Sequence, residues 1–309
     1  MKKILWLCLG TALCIAPLTA WPQEEIAPAP AVTDSAEAAT NPAPVPAPAP
    51  VPPASSWKPE AVGQMNLAQN SFDNWTQGGT ESLAWQATLQ GKLTNDAPEY
   101  NWANSAKLAF GQIKVGAEEL KKSVDEIRLE SVLSYKLKIQ IDPYVGVKAE
   151  TQFTTGYDYK DTGKVAISAF LDPGYFTESL GVGYNAGSVV KTRLGFAAKQ
   201  TVTNLYPAPY ADDPQTPGIE KIKSELGLES VTDLSLKLTD TILFTSTLEA
   251  FSNLKATDQI DVRWDNLLST SLSTFLTMGF NVQLYYNKDV STKRQIKEAL
   301  TLGLTYTLI

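Results

Sequence analysis

The stretch Ala299-Leu300-Thr301-Leu302-Gly303-Leu304-Thr305-Tyr306-Thr307-Leu308 decides the fold. On an extended chain successive side chains point to opposite faces. Leu300, Leu302, Leu304, Tyr306 and Leu308 therefore share one face, and Ala299, Thr301, Gly303, Thr305 and Thr307 share the other. A helix would scatter both sets around its circumference.

The same alternation recurs upstream. Leu83, Trp85, Ala87, Leu89 and Leu93 oppose Gln86, Thr88, Gln90 and Lys92. Ile127, Leu129, Leu133, Tyr135, Leu137 and Ile139 oppose Arg128, Glu130, Ser134, Lys136 and Lys138. Val145, Val147, Ala149 and Phe153 oppose Lys148, Glu150 and Gln152, and Val190, Leu194, Phe196 and Ala198 oppose Lys191, Arg193 and Lys199. Leu226, Leu228, Leu234, Leu236 and Leu238 oppose Glu225, Glu229, Asp233 and Lys237. Ile260, Val262, Trp264 and Leu268 oppose Asp261, Arg263 and Asp265, and Met278, Phe280, Val282 and Leu284 oppose Gly279, Asn281 and Gln283. Weaker candidates at 62–72, 102–113, 175–185 and 241–252 bring the total to about twelve strands, an even number as outer-membrane barrels have. The first is the poorest, because Gln69 and Ser71 follow Met65 and Leu67 on one face.

A soluble sandwich turns its apolar face inward, and a membrane barrel turns it outward. Long alternating strands with little helix between them favour the barrel. So do Trp85, Trp102, Tyr135, Tyr157, Tyr184 and Trp264, which fall near strand ends on the apolar faces, where aromatic girdles sit. The links also alternate in length. Asn95-Asp96, Ile141-Asp142-Pro143, Asn185-Ala186-Gly187 and Thr239-Asp240 are turn-like, whereas 72–80, 114–123, 158–172, 202–221 and 287–294 are long. The expected fold is an all-β, up-and-down antiparallel transmembrane barrel over 57–309.

What precedes it has another character. Lys2 and Lys3 followed by a mostly apolar Ile4 to Ile15, with Leu18-Thr19-Ala20 as cleavage site, read as a signal peptide over 1–20. Its removal would take both cysteines, Cys8 and Cys14, and leave a chain without thiols or disulfides. Residues 21–56 form a Pro/Ala-rich periplasmic linker: ten of the nineteen prolines fall within 22–53. That composition favours an extended spacer of roughly 3 Å per residue, free in solvent or reaching toward the cell wall or a periplasmic protein.

Composition excludes much. The chain has no histidine, so the commonest general base and metal ligand are missing. Its formal charge of −7 argues against nucleic acid as a partner. No metal-ligand spacing is present and no cofactor is expected. Asp261/Asp265 and Glu225/Glu229 could pair as acid and base, but on regular strand faces they read as solvated lining, so no enzyme is expected. Tyr206, Tyr210, Asp212 and Asp213 among the prolines of 202–219 could bind a surface ligand or cation, or form a rigid connection.

The stretch Leu67-Ala68-Gln69-Asn70-Ser71-Phe72-Asp73-Asn74-Trp75-Thr76-Gln77-Gly78-Gly79 resembles the opening of a bacterial outer-membrane barrel family of unknown function, marked by Asn-Trp and a Gly-Gly pair after the first strand. The resemblance implies a barrel and no established activity. Physically, Asn74, Trp75, Gly78 and Gly79 read as a tight loop rather than a ligand site, since glycine permits positive φ. The closing strand resembles the signal read by the barrel-insertion machinery, although it ends in Leu308-Ile309 rather than an aromatic residue.

In a barrel the polar faces line the lumen. Lys92, Lys107, Arg128, Lys136, Lys138, Lys148, Lys191, Arg193 and Lys199 dominate the first half, against Glu130 and Glu150. Glu225, Glu229, Asp233, Glu249, Asp261 and Asp265 dominate the second, against Lys237 and Arg263. These walls either face each other across a narrow, hydrated channel for small polar solutes or meet as a network that fills the lumen. The surplus of positive groups favours the hydrated channel. The remaining alternatives are a non-conducting barrel with a structural, adhesion or ligand-binding role, and a soluble all-β binding protein.

Overall fold

The computed structural model describes residues 56–308 apart from 75, 77, 161, 162, 188, 209, 257–259, 289, 290 and 292. The expected signal peptide and nearly all of the linker lie outside the described residues, as does Trp75.

Among the described residues fourteen strands follow in order: β1 (Trp57–Asn70), β2 (Ser82–Asp96), β3 (Tyr100–Val115), β4 (Lys121–Tyr135), β5 (Ile141–Thr151), β6 (Gly156–Lys160), β7 (Gly163–Ser168), β8 (Gly174–Ala186), β9 (Val190–Val202), β10 (Ile222–Lys237), β11 (Ile242–Asn253), β12 (Ile260–Ser271), β13 (Leu276–Tyr286) and β14 (Gln295–Thr307). Twelve of them close a barrel in the order β1-β14-β13-β12-β11-β10-β9-β8-β5-β4-β3-β2, while β6 and β7 pair only with each other. Every neighbouring pair in the ring is antiparallel. The barrel strands run from 11 to 16 residues, enough to cross a hydrocarbon layer that needs about 9–11 tilted residues.

The apolar faces point outward. Met65 is 55% exposed, Phe196 61% and Leu300 72%, and comparable side chains follow on every barrel strand. Fully burying one such side chain is worth about 1.5–3 kcal/mol. A continuous outer face of this kind is far larger than the patches soluble proteins expose, so it belongs against lipid, and the soluble all-β alternative is set aside. Two outer tryptophans satisfy their indole N–H on the wall itself: Trp102 donates to Ser131 Oγ and Trp264 to Ser246 Oγ, each at 2.9 Å.

Several expectations need correction. The β4–β5 turn lies at 136–140, before Ile141-Asp142-Pro143, which opens β5. Leu137 and Ile139 are therefore exposed turn residues. Lys138 adopts φ 62°, a left-handed turn conformation incompatible with continuing the strand. Tyr157 sits in the β6–β7 hairpin, outside the ring, so it is no girdle residue. The β11–β12 link over 254–259 is one further long connection beyond those expected.

Closure depends on one small residue. Across the β1–β14 seam Asn66 pairs with Gly303. A Cβ added at Gly303 would collide with Asn66 Oδ1 and come within 2.6 Å of the Met65 carbonyl oxygen. Replacing Gly303 with leucine is expected to open the seam. The folded form's altered gel mobility without heating should be lost in Gly303→Leu and kept in Gly91→Ala, where an added Cβ meets open space.

Candidate functional site

Strand register brings the charged residues to the same depth from opposite sides of the ring. Arg128 on β4 contacts Glu249 on β11 directly and lies 3.4 Å from Glu150 on β5. Lys148 on β5 reaches Glu249 at 3.0 Å and Glu229 on β10 at 3.4 Å. Arg193 on β9 binds Glu130 on β4 at 2.6 Å. Arg263 on β12 spans to Glu126 on β4 at 2.6 Å and to Glu150 at 3.3 Å. Lys199 on β9 contacts Asp261 on β12 and lies 3.7 Å from Glu225. Lys107 completes the set against Glu126 at 2.8 Å.

Arg128–Glu150, Lys199–Glu225 and Lys107–Glu126 join neighbouring strands, whereas the other pairs cross the lumen, the longest between β4 and β12, which stand opposite each other in the strand order. The two expected walls meet, and their charges interlock in both directions. Small residues make room beside them. Gly181 pairs with Gly195 across β8 and β9, and a Cβ at Gly195 would come 2.7 Å from the Tyr144 hydroxyl. Tyr144, only 3% exposed, fills that space, and Arg193 lies over its ring at 5.6 Å. A void of about 110 Å³ remains among Lys148, Lys199, Glu249 and Tyr285, room for ordered water on the remaining polar atoms.

Other residues expected in the lumen lie outside this network, some at the turn end and some, Lys92, Asp233 and Asp265 among them, along the open cavity. Lys136 binds Asp96 at 2.6 Å and the Ala97 carbonyl at 2.7 Å, at the turn end. Lys237 closes β10 beside Asp240 at 3.0 Å and is open to solvent, and Lys138 stays in its turn. Lys191 lies opposite Asp233 in register near the same rim, while Asp233 accepts from Thr247 at 2.8 Å. Lys92 and Glu60 are cross-strand partners on β2 and β1. Asp265 accepts from Asn281 at 2.6 Å and Gln283 at 2.7 Å. Glu126 was absent from the expected set because it stands one residue before the alternation of β4 becomes clean.

The other side of the lumen is open. A cavity of about 1340 Å³ runs between the ion-pair network and the inward faces of β12, β13, β14, β1, β2 and β3. That wall carries Gln64, Gln86, Gln90, Asn281, Gln283 and Thr301. Alternation assigns such residues inward, but uncharged amides on a strand face carry no signal that sets them apart from ordinary solvated positions.

At the loop end, the segment between β9 and β10 is pinned by Asp172. Its carboxylate accepts the Asn204 N–H at 3.0 Å, the Leu205 N–H at 2.6 Å and the Thr203 hydroxyl. Burial alone would raise this carboxyl, but the hydrogen bonds outweigh it and hold the group below the usual range. The pinned loop sends Tyr210 into the cavity mouth. Asp212 accepts from the Glu220 N–H at 3.1 Å, and Glu220 in turn accepts from the Asp213 N–H at 3.1 Å. Among the described residues no acidic cluster could hold a metal ion. In the β1–β2 loop Asn74, Gly78 and Gly79 have φ 52°, 80° and 147°, and a Cβ on Gly79 would meet the Phe72 ring at 2.7 Å. These positions shape the loop.

Fold and site together define a transmembrane β-barrel whose lumen is half braced by ion pairs and half open. Residues 67–157, from β1 into β6, match the family model described as "Protein of unknown function (DUF3078)". No curated protein matches the chain. Among solved structures it is similar to an outer-membrane channel of Pseudomonas putida F1, at 10% identity and TM-score 0.39 over 83% of this chain and 98% of that one. It is similar also to the translocator domain of the autotransporter NalP of Neisseria meningitidis, at 11% identity and TM-score 0.37 over 80% and 86% of the two chains. The outer-membrane channel DcaP of Acinetobacter baumannii follows at 7% identity and TM-score 0.33 over 82% and 97%. At such scores the barrel's own geometry carries the argument.

Two outcomes follow. Glu249→Gln leaves Arg128 and Lys148 short of a shared partner, and urea unfolding in detergent should show a loss of about 3 kcal/mol, the lower end for breaking a buried pair. Because the Asp172 carboxyl is depressed, its contribution is complete above the ordinary value of about 3.9 and is lost as pH falls through the lower folded value. Proteolysis within 203–221 should therefore rise only below about pH 4, whereas Asp172→Asn should be cut at neutral pH.

Proposed function

We propose that this barrel resides in the outer membrane of a Gram-negative bacterium and acts as a narrow passive channel for small polar solutes or ions. The observation that carries this function is the open side of the lumen. Its lining runs from Glu60, Ser271 and Thr307 at the turn end to Gln152, Ser168 and Tyr210 at the loop end. On this view residues 1–20 direct export and are cleaved, and the closing strand is read by the barrel-insertion machinery. The proline-rich arm extends into the periplasm toward the cell wall or a periplasmic protein. The ion-pair network favours one rival, a non-conducting barrel with a structural, adhesion or ligand-binding role.

Planar-bilayer recording of the detergent-purified, folded barrel separates the two. Stable single-channel steps are expected, with weak ion selectivity because cations and anions in the lumen compensate each other. Arg128→Gln with Lys148→Gln should shift selectivity toward cations, since Glu229 and Glu249 then lose their partners. Silence from a folded barrel would favour the rival.

A further inference from the structure

We infer that the open lane is built for neutral, polyhydroxylated solutes of saccharide type, a proposal that rests on the channel function above. Three observations converge on it. The first is the division of labour in the lumen: the strong charges are consumed by one another across the barrel, at 2.6 Å for Arg193 with Glu130 and 3.0 Å for Lys148 with Glu249. A charged solute entering beside this network would shed water without gaining an uncompensated counter-charge.

The second is the character of the facing wall. Gln64, Gln86, Gln90, Asn281, Gln283 and Thr301 present amides and a hydroxyl to the lane. A carboxamide carries two donors and an acceptor oxygen. Gln64 gives one donor to Asn66 at 3.3 Å and Gln86 gives one to Thr88 at 3.1 Å, which leaves most of each group for water or solute. Thr301 gives its proton to the Gly279 carbonyl and Asn281 gives its amide protons to Asp265 and the Asn266 carbonyl, so these two keep acceptor oxygens. Gln64, Gln86 and Gln90 both donate and accept, and the row matches a solute whose hydroxyls do both.

The third is that the charges named on this wall balance in number, cations Lys92, Lys107 and Lys297 against anions Glu60, Glu126 and Asp265, and each is held by a partner on the wall or faces its opposite in register. Lys107 binds Glu126 at 2.8 Å, Lys297 donates to the Ser123 carbonyl at 3.1 Å, and the Asp265 carboxylate is held by Asn281 and Gln283. Glu60 and Lys92 face each other in register. The lane therefore offers hydrogen bonds along its length and little net field.

The test is tracer exchange through proteoliposomes carrying the full-length barrel, with glucose, glucuronate and glucosamine as size-matched probes. Glucose should exchange roughly fivefold faster than either charged probe, the effect of about one hydrogen bond. Gln86→Leu with Gln283→Leu keeps nearly the same side-chain volume, so this pair should reduce that preference, hydrogen bonding being lost without change of bore. Should the leucine pair fail to fold, Gln86→Ala with Gln283→Ala widens the lane, raising conductance while lowering the glucose preference. Equal or faster exchange of glucuronate, or an unchanged preference in either folded pair, overturns the assignment and leaves the channel standing. No exchange of any probe and no conductance from a folded barrel would instead overturn the channel itself.

Discussion

The rest of the structure depends on the closed ladder of backbone hydrogen bonds around the barrel. Inside a hydrocarbon layer no water is available to an unpaired N–H or C=O, and each such group costs several kcal/mol. A sheet can cross only if its first and last strands meet. Here β1 and β14 meet over Val62–Asn66 and Gly303–Thr307, at a seam where a glycine gives Asn66 room. Once the ring is closed, the period of two does the rest: each strand turns most of its leucines and valines toward lipid and most of its polar residues toward the lumen, with a few aromatics such as Tyr144 packed inside.

Closure also creates the electrostatic problem of the interior. Lysine and arginine on β4, β5 and β9 would be costly to hold in a lumen without counter-charges. The ring answers by bringing Glu229, Glu249 and Asp261 from β10, β11 and β12 into contact with them, while Glu126, Glu130 and Glu150 meet cations arriving from the far side. The resulting brace is concentrated on one side of the lumen. The other side keeps a wall of amides and hydroxyls, which can face water without partners. Asymmetry of this kind lets one barrel be both stiffened and open.

The loops follow the same logic of tying polar groups to one another. Asp172 gathers the start of the β9–β10 loop, and that placement sends Tyr210 over the mouth. Lys164 of the β6–β7 hairpin binds Glu119 at 2.8 Å, holding the hairpin to the β3–β4 link. Its tyrosines lie beneath lysines, with Lys164 over Tyr157 and Lys121 over Tyr159 at about 5 Å.

The strand count, the antiparallel order and the assignment of faces were legible in the sequence, because alternation is a local property and a strand shows it residue by residue. Turn positions were less legible: Leu137 and Ile139 continue the alternation of β4 although Lys138 has already left the strand, and only backbone conformation reveals it. The hairpin of β6 and β7 escaped notice because its short strands alternate too briefly to stand apart from a loop. The lumen divides in the same way. That Arg128, Lys148 and Glu249 face inward follows from their neighbours on each strand. That they touch is decided by register and ring closure, which bring residues more than a hundred positions apart to one depth. An inside-out barrel with a charged interior is written along the chain, since period and polarity need no third dimension. Which charges cancel and which wall remains open depends on distances across the closed ring, and those exist only once the strands have met.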